Sequence, residues 1–359
     1  MAERMEAKHR GAMLRARKVE LGDDDDPIEA CFDRGWSDGL PVTPPTDTRV
    51  LRMLAGTRRA PGEVVGAIPP YLAECTVEKV AINAVLAGCK PEYMPVLLAA
   101  LEAALEPVFT LHGVLATTYF SSPVIIVNGP VAKKIGMNSG VNALGQGNRA
   151  NATIGRALNL IVRNVGGGRP GEADRATLGA PSKLTLCFAE DESDPSWEPL
   201  SVSRGFAPGT STVTLFQGHG VEAFVDQKTR TPEGLSRSFG LSLVKLGHPR
   251  LVQSARAVLV LSPEHWRIYK EAGWSRKDIE RALFEATTRP GSEILAGLDG
   301  VGEGVPQARA SEQVPKFHDD GLMVVRAGGH AGLFSGILPG WLAGRNQLEL
   351  QPVTKEVRD

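Results

Sequence analysis

Three segments of the 359-residue sequence share one pattern, and this pattern limits the folds that the chain can adopt. Each segment has an apolar, β-branched run, then a turn with Gly, Pro or Ser, then a stretch of helical character: PVIIVNGPVAKKIG (123–136), AVLVLSPEHWRIYKEAG (257–273) and GLMVVRAGGHAGLFSG (321–336). The pattern predicts β-loop-α units, whose continuous apolar strands belong in sheets covered on both faces. KLTLCFAE (183–190) and STVTLFQG (211–218) predict two further strands. The alternation favours an α/β fold with mostly parallel or mixed sheets.

The length of the chain and one irregular stretch predict a division into two lobes. A chain of this length exceeds one average domain, and the stretch after residue 190, DESDPSWEPLSVSRGFAPG, has little regular pattern. We therefore expect a charged leader over residues 1–26, an N-terminal α/β lobe with an Asn/Gly-rich helix over 27–190, and a C-terminal α/β lobe over 191–359. We also expect the protein to form a homodimer.

Composition argues against several classes of partner. The formal charge of -1 and the pI near 6.7 give no basic surface for nucleic acid. No apolar run approaches the ~20 residues of a membrane-spanning helix, and the charged N-terminus lacks the apolar core of a signal peptide. The 4 cysteines are widely spaced, which argues against a zinc knuckle or a C-x-x-C redox pair. The sequence therefore predicts a cytoplasmic protein whose partner is a small-molecule substrate.

The stretch GQGNRANATIGRALNLIVRNVGGG (145–168) predicts an amphipathic helix with an unusual polar face. Its polar side carries asparagines, which are mediocre helix formers, where a solvated helix would carry Glu and Lys. Free N–H groups and the macrodipole at a helix N-terminus favour an anion. One hypothesis is a pocket for a carboxylate, phosphate or sulfonate, formed by Asn148, Arg149, Asn151 and Arg156. The alternative is that the asparagines bind neighbouring backbone at a tight helix–loop or subunit contact.

A second hypothesis concerns a helix predicted over residues 76–87, which is apolar nearly all round and should be buried. Lys79 and Asn83 belong to its only polar strip, and Cys89 follows its end. A lysine near a thiol can lower the pKa of that thiol, and the thiolate is the reactive form. In this hypothesis Cys89 is a nucleophilic or redox thiol, and Asn83 binds substrate. Lys79 and His112 are the other catalytic residues, and His112 lies in a predicted strand. The alternative is a packed Cys89 and a Lys79 that extends to water.

A third hypothesis places a metal at the ends of the strands. Glu190 ends one predicted strand, and His219 and His330 occupy equivalent loops after two others. Open α/β sheets bind ligands beyond the carboxyl ends of their strands, and two histidines with a carboxylate can hold a divalent transition metal. The alternative is that the acidic residues that begin at Glu190 form a solvated loop.

Five phrases carry a resemblance to a known family: RGWSDGLPVTPPT, TVEKVAINAVLAGCKPEYMPV, GNRANATIGRALNLIVRNVGG, CFAEDESDPSWEPL and PEHWRIYKEAGWSRKDIERALFE. They resemble the UGSC family of bacterial (seleno)proteins, a largely uncharacterised group, over residues 30–350. The resemblance implies thiol or selenol redox chemistry. The motif that gives the family its name is absent here, because no Cys-Gly-Ser-Cys or equivalent occurs in the chain. The resemblance supplies no catalytic residues.

These patterns support three functions. The leading hypothesis is an enzyme that acts on a small polar, anionic molecule in a pocket between the lobes, as a thiol-dependent oxidoreductase or lyase. The second is a metal-dependent lyase or hydrolase that uses the histidines and glutamate at the strand ends. The third is a non-catalytic protein that binds a small molecule in the Asn/Gly pocket alone.

Overall fold

The computed structural model describes residues 14–253, 256–342 and 350–358. Helices and strands build mixed sheets over this part of the chain, which confirms the predicted α/β class. The α-helices are α1 (Pro27–Asp33), α2 (Asp47–Leu54), α3 (Val77–Ala87), α4 (Met94–Ala104), α5 (Leu111–Ala116), α6 (Pro130–Lys134), α7 (Arg149–Asn164), α8 (Leu200–Ser203), α9 (Pro232–Leu243), α10 (Pro263–Glu271) and α11 (Arg276–Ala286). The strands are β1 (Val64–Ile68), β2 (Ala73–Thr76), β3 (Ser122–Asn128), β4 (Cys187–Ala189), β5 (Thr212–Gly218), β6 (Glu222–Val225), β7 (Ala257–Leu261), β8 (Thr288–Pro290), β9 (Gln313–Pro315), β10 (Leu322–Arg326), β11 (Phe334–Pro339) and β12 (Val353–Glu356).

The first sheet has 4 strands in the order β12-β5-β3-β4. β3 runs parallel to β4 and antiparallel to β5, so that Ile125 lies opposite Cys187 on one side and Leu215 on the other. β12 closes the far edge, antiparallel to β5. Every residue of β3 and β5 is buried, because helices cover one face of this sheet and the second sheet covers the other.

The second sheet also has 4 strands, in the order β10-β7-β11-β6. β10 and β7 are parallel, whereas β11 runs antiparallel to both β7 and β6. Two small antiparallel pairs, β1 with β2 and β8 with β9, lie outside these sheets. Both main sheets therefore combine parallel and antiparallel pairs, as the mixed alternative predicted.

Alternate residues of the central strands point into different cores, and one of these cores lies between the two sheets. In β3, Val124 and Ile126 join a core between the sheets, while Ile125 and Val127 join the core formed with α2, α3, α4 and α7. β7 alternates in the same way between the central core and a core formed with α9, α10 and α11. The described residues thus form four layers: helices, first sheet, second sheet, helices.

Strands from both sides of residue 190 share the first sheet. β3 and β4 precede this position, and β5 and β12 follow it. The boundary predicted between residues 190 and 191 therefore lies between strands of one sheet. The four-layer arrangement does not divide at that position.

Two of the three predicted β-loop-α units are confirmed, since α6 follows β3 and α10 follows β7. The third prediction is wrong in its second half, because the loop after β10 leads into strand β11 rather than a helix. Gly328 and Gly332 in that loop have φ values of 110° and 92°, a left-handed backbone that is incompatible with a helix. β11 then fills the position between β7 and β6.

The predicted strand around His112 is also wrong. His112 lies in α5, an exposed position on a short helix. Leu111, Val114 and Leu115 are buried on one side of α5, and this spacing of three and four residues is that of a helix.

Among the described residues, no single helix is long and apolar enough to cross a membrane. Two consecutive segments, Pro91–Ala104 and Pro107–Ala116, are together long and apolar enough to cross a membrane, but the chain bends sharply between them. Most of the apolar side chains of α4, within the first of these segments, are buried in the core against the first sheet.

Candidate functional site

A cavity of about 660 Å³ lies in the helical layer that covers the first sheet. Residues 14–21 form one of its walls, and α1, α2, α3 and the C-terminal end of α7 form the others. Ligand pockets in proteins commonly have volumes of this size and are mostly apolar with a few polar groups. The apolar lining residues are Leu14, Val19, Leu21, Cys31, Trp36, Val50, Ile82, Leu86 and Val165, with Ala16, Ala30, Ala73 and several prolines.

Helix α3 supplies several of the polar groups that line the cavity. Thr76 caps its N-terminus by accepting a hydrogen bond from the Lys79 N–H at 3.3 Å, and Gly88 ends it with a φ of 85°. Most residues of α3 are buried, because the helix packs against both α2 and α7. Lys79 and Asn83 are four residues apart, so they lie on one side of α3, and both line the cavity.

Asn83 and Asn164 connect α3 to the end of α7 at the cavity wall. Asn164 Nδ2 donates to Asn83 Oδ1 at 2.9 Å and to the Trp36 carbonyl at 3.0 Å. Asn83 Nδ2 donates in turn to the Lys79 carbonyl at 2.9 Å. These bonds fix the amide groups, and they give an otherwise apolar wall a polar strip of defined geometry.

Residues 14–21, which we call the covering segment, are attached to the cavity rim through Glu78. This carboxylate is 3% exposed and accepts hydrogen bonds from the backbone N–H groups of Arg15, at 3.0 Å, and Ala16, at 2.9 Å. A second attachment is the ion pair between Lys18 and Asp47. The covering segment is thus held at two points, and it forms one wall of the cavity beside α3.

The two predicted catalytic partners of Lys79 do not line this cavity. Cys89 is 6% exposed, and its Sγ donates to the Thr153 carbonyl at 3.3 Å. Burial raises the pKa of the Cys89 thiol to about 12, so the thiolate is scarce at neutral pH. His112 lies on the exposed side of α5. Cys89 thus occupies the packed position that the alternative hypothesis described.

The asparagines of α7 bind backbone groups of the protein. Asn148 caps the helix by accepting from the Asn151 N–H at 3.0 Å, and its Nδ2 donates to the Gly136 carbonyl at 2.8 Å. Asn151 is 3% exposed and donates to the carbonyls of Asn138, at 2.8 Å, and Ala143, at 3.1 Å. The polar groups proposed to hold an anion are therefore occupied by the loop before α7, as the alternative hypothesis described.

The arginines of the same helix also bind the protein itself. Arg149 Nε donates to the Gly88 carbonyl at 2.9 Å. Arg156 forms a two-pronged ion pair with Asp38, with both N–O distances at 2.7 Å, and also donates to the Leu40 and Pro41 carbonyls. Arg156 thus fixes the Pro-rich loop that follows α1, and neither arginine lines the cavity.

Glu190, predicted as a metal ligand, is saturated by hydrogen-bond donors inside the protein. Its carboxylate accepts from Trp197 Nε1 at 2.8 Å, the Leu200 N–H at 2.7 Å, Arg276 Nη2 at 2.9 Å, and Asn128 Nδ2. Glu190 and Arg276 form a buried ion pair, with side chains 0% and 1% exposed. The Arg276 guanidinium also lies 4.4 Å from the centroid of the Trp197 ring. This carboxylate is therefore a structural group, and the acidic loop is anchored inside the protein at this point.

The two predicted histidine ligands do not complete a metal site. His219 Nε2 lies 2.8 Å from the hydroxyl of Tyr119, and burial lowers the pKa of His219 while it raises that of Tyr119 to about 12. His330 is exposed in the loop after β10. Over residues 14–253, 256–342 and 350–358, no group of three or more His, Cys, Asp or Glu side chains has the arrangement of a metal site.

Sequence reasoning found Lys79 and Asn83 but missed the rest of the cavity. The covering segment falls within the predicted charged leader, residues 1–26, and the sequence patterns give no role to Glu78. An acidic residue on a mostly apolar helix is the available signal, because a buried carboxylate needs hydrogen-bond donors from elsewhere in the chain.

The chain matches no protein-family model, and it matches no curated protein sequence.

Proposed function

We propose that the chain is a small-molecule-binding protein whose ligand lies in the cavity under the covering segment. The observation that carries this proposal is a cavity of about 660 Å³ with an apolar lining and a polar strip that converges from α3 and α7. Apolar surface supplies most of the affinity of such a site, and a few fixed polar groups orient the ligand. This is the third of the functions expected from the sequence, at a different position from the Asn/Gly pocket.

The polar groups at the cavity are of types that bind and orient a ligand. Lys79 presents an ammonium group, and Asn83 and Asn164 are held by bonds to one another and to backbone. The thiol that lines the cavity, Cys31, has its pKa raised by burial, which disfavours a nucleophilic thiolate. Binding is therefore the function that these side chains support best.

A neutral dye that fluoresces in apolar surroundings, N-phenyl-1-naphthylamine, tests the proposal. We expect saturable binding to the protein and loss of that binding in Ile82→Trp, because the indole would fill space that the cavity provides. Leu241→Trp is the matched control, since Leu241 is 77% exposed on α9, in the other helical layer. Absence of saturable binding, or equal binding to both variants, would contradict the proposal.

A further inference from the structure

We infer that the ligand of this cavity is an amphipathic anion, with an acidic head group at Lys79 and an apolar body beneath the covering segment. This inference rests on the proposed function and names the class of its ligand. It follows from the way in which the charged groups at the cavity are already paired.

Two of the three described carboxylates that line the cavity are occupied, and the third belongs to an exposed residue. Asp47 is paired with Lys18 at the rim. Glu78 is buried, and its oxygens bind the N–H groups of Arg15 and Ala16 in the covering segment. Glu20 is exposed. The buried carboxylate of the cavity lining, Glu78, is therefore already occupied by the covering segment.

Lys79 is the least exposed of the four described cations that line the cavity. Arg17, Lys18 and Arg34 also line it, but their side chains belong to exposed residues, whereas Lys79 is half-buried. Lys79 Nζ donates to the Glu74 carbonyl, and it forms no ion pair with any carboxylate in the part of the chain that the structure describes. An ammonium group has three N–H donors, so Lys79 can bind an anionic head group without losing this bond.

The backbone of Lys79 is held in place on α3 beside the polar strip of the cavity wall. Asn83 Nδ2 bonds the Lys79 carbonyl one turn along α3, and Asn164 holds Asn83 in turn. Apolar side chains from three directions surround the remaining space: Val19 from the covering segment, Val50 from α2, and Ile82 from α3. A ligand with one anionic end and an apolar body complements this distribution. Its head group would meet the ammonium of Lys79, and its body would meet the apolar side chains.

Three probes with the same tail test the inference: decanoate, decan-1-ol and decylammonium, each measured by displacement of the neutral dye at pH 7. We expect decanoate to bind about tenfold more tightly than decan-1-ol, as for a charge-assisted hydrogen bond at a half-buried site. Decylammonium should bind most weakly. In Lys79→Met the affinity for decanoate should fall to that for decan-1-ol, which itself stays unchanged. Lys134→Met, at an exposed position on α6, is the control and should keep the preference.

The outcomes separate this inference from the proposed function. Equal affinities for decanoate and decan-1-ol, or a preference that survives in Lys79→Met, would overturn the anionic ligand and leave the cavity as a binding site. Failure of all three probes to displace the dye, together with dye binding that is insensitive to Ile82→Trp, would overturn both.

Discussion

Asn138 and Asn151 bind each other reciprocally: the Asn138 N–H donates to Asn151 Oδ1 at 3.1 Å, and Asn151 Nδ2 donates to the Asn138 carbonyl at 2.8 Å. The side chain of Asn151 thus satisfies both backbone hydrogen-bonding groups of Asn138, as a neighbouring strand would in a sheet. Because the side chain is buried, the loop cannot exchange these bonds for bonds to water without exposing α7.

Replacement of Asn151 by leucine should destabilise the protein by about 3 kcal/mol, because buried N–H and carbonyl groups of the loop lose their partners. The free energy of unfolding from urea titration measures this effect, and faster hydrogen exchange should appear over residues 138–143. Asn159→Leu is the control, since Asn159 makes a single side-chain bond of 3.3 Å to the Leu184 carbonyl. A change below about 0.5 kcal/mol in Asn151→Leu, with altered ligand affinity, would restore these asparagines to a binding role.

The covering segment should become accessible when Glu78 is replaced. In Glu78→Leu the N–H groups of Arg15 and Ala16 lose their acceptors, and the segment can recover hydrogen bonds only by lifting into water. We expect cleavage by trypsin after Arg15, Arg17 or Lys18 to accelerate about tenfold, as for the loss of ~1.4 kcal/mol of local stability. Glu92→Gln, an exposed position beside α4, should leave the cleavage rate unchanged. Equal rates in all proteins would show that Glu78 does not hold the segment.

The cysteine thiols should be unreactive in the folded protein. Burial raises the pKa of Cys75 and of Cys89 to about 12, and it raises the pKa of Cys31 and Cys187 as well. Iodoacetamide at pH 7.5 should therefore add little mass to the native protein in an hour, whereas all 4 cysteines should react in urea. Rapid, selective labelling of Cys89 in the native state would revive the hypothesis of a reactive thiol.

Loss of charge at Glu190 should affect stability and not metal content. In Glu190→Gln the buried Arg276 guanidinium loses its counter-charge, and we expect a loss of about 3 kcal/mol in the free energy of unfolding. Glu293→Gln, at an exposed position, serves as the control. The Tm of the unaltered protein should not respond to a chelator or to added zinc. A drop in Tm on chelation would contradict the structural assignment of Glu190.

One buried histidine, His265, and one partly buried histidine, His219, should make stability depend on pH between 7 and 5. Burial lowers the pKa of His219 and of His265 in the folded protein below the usual value of 6.5, so the unfolded chain binds protons first as the pH falls. The free energy of unfolding should therefore decrease below about pH 6.5. This slope should be shallower in His265→Gln, which removes one of the two groups. His330→Gln, at an exposed histidine, should reproduce the original slope.

Local patterns predicted the elements of this fold well. The apolar run of β3, the proline and glycine limits of α3, and the amphipathic period of α7 each follow from interactions within one segment. The prediction of the third β-loop-α unit failed because β11 pairs on its two sides with β7 and β6, strands that are distant in sequence. Pairing of that kind leaves no periodic trace in a short Gly-rich stretch.

The candidate site was predictable only in part, for a similar reason. The polar positions of Lys79 and Asn83 stand out on an apolar helix, and the structure places both at the cavity. The asparagines of α7 gave an equally clear pattern, but a pattern does not distinguish an amide that binds a ligand from one that binds a loop. The covering segment lies over 60 residues before Glu78, and a hydrogen bond between backbone N–H and a distant carboxylate is independent of the side chains that the segment carries.

The edge position of β12 has a consequence for the order of folding during synthesis. β12 pairs with β5, and Thr354 lies opposite Thr214, so 140 residues separate the two partners along the chain. While the residues of the second sheet are being synthesised, the edge of β5 that later pairs with β12 is unpaired. Unpaired strand edges are templates for aggregation. Closing a loop of this length is also slow compared with local helix formation. The helical wall of the cavity can therefore form early, but the sheet beneath it is complete only once residue 356 has left the ribosome.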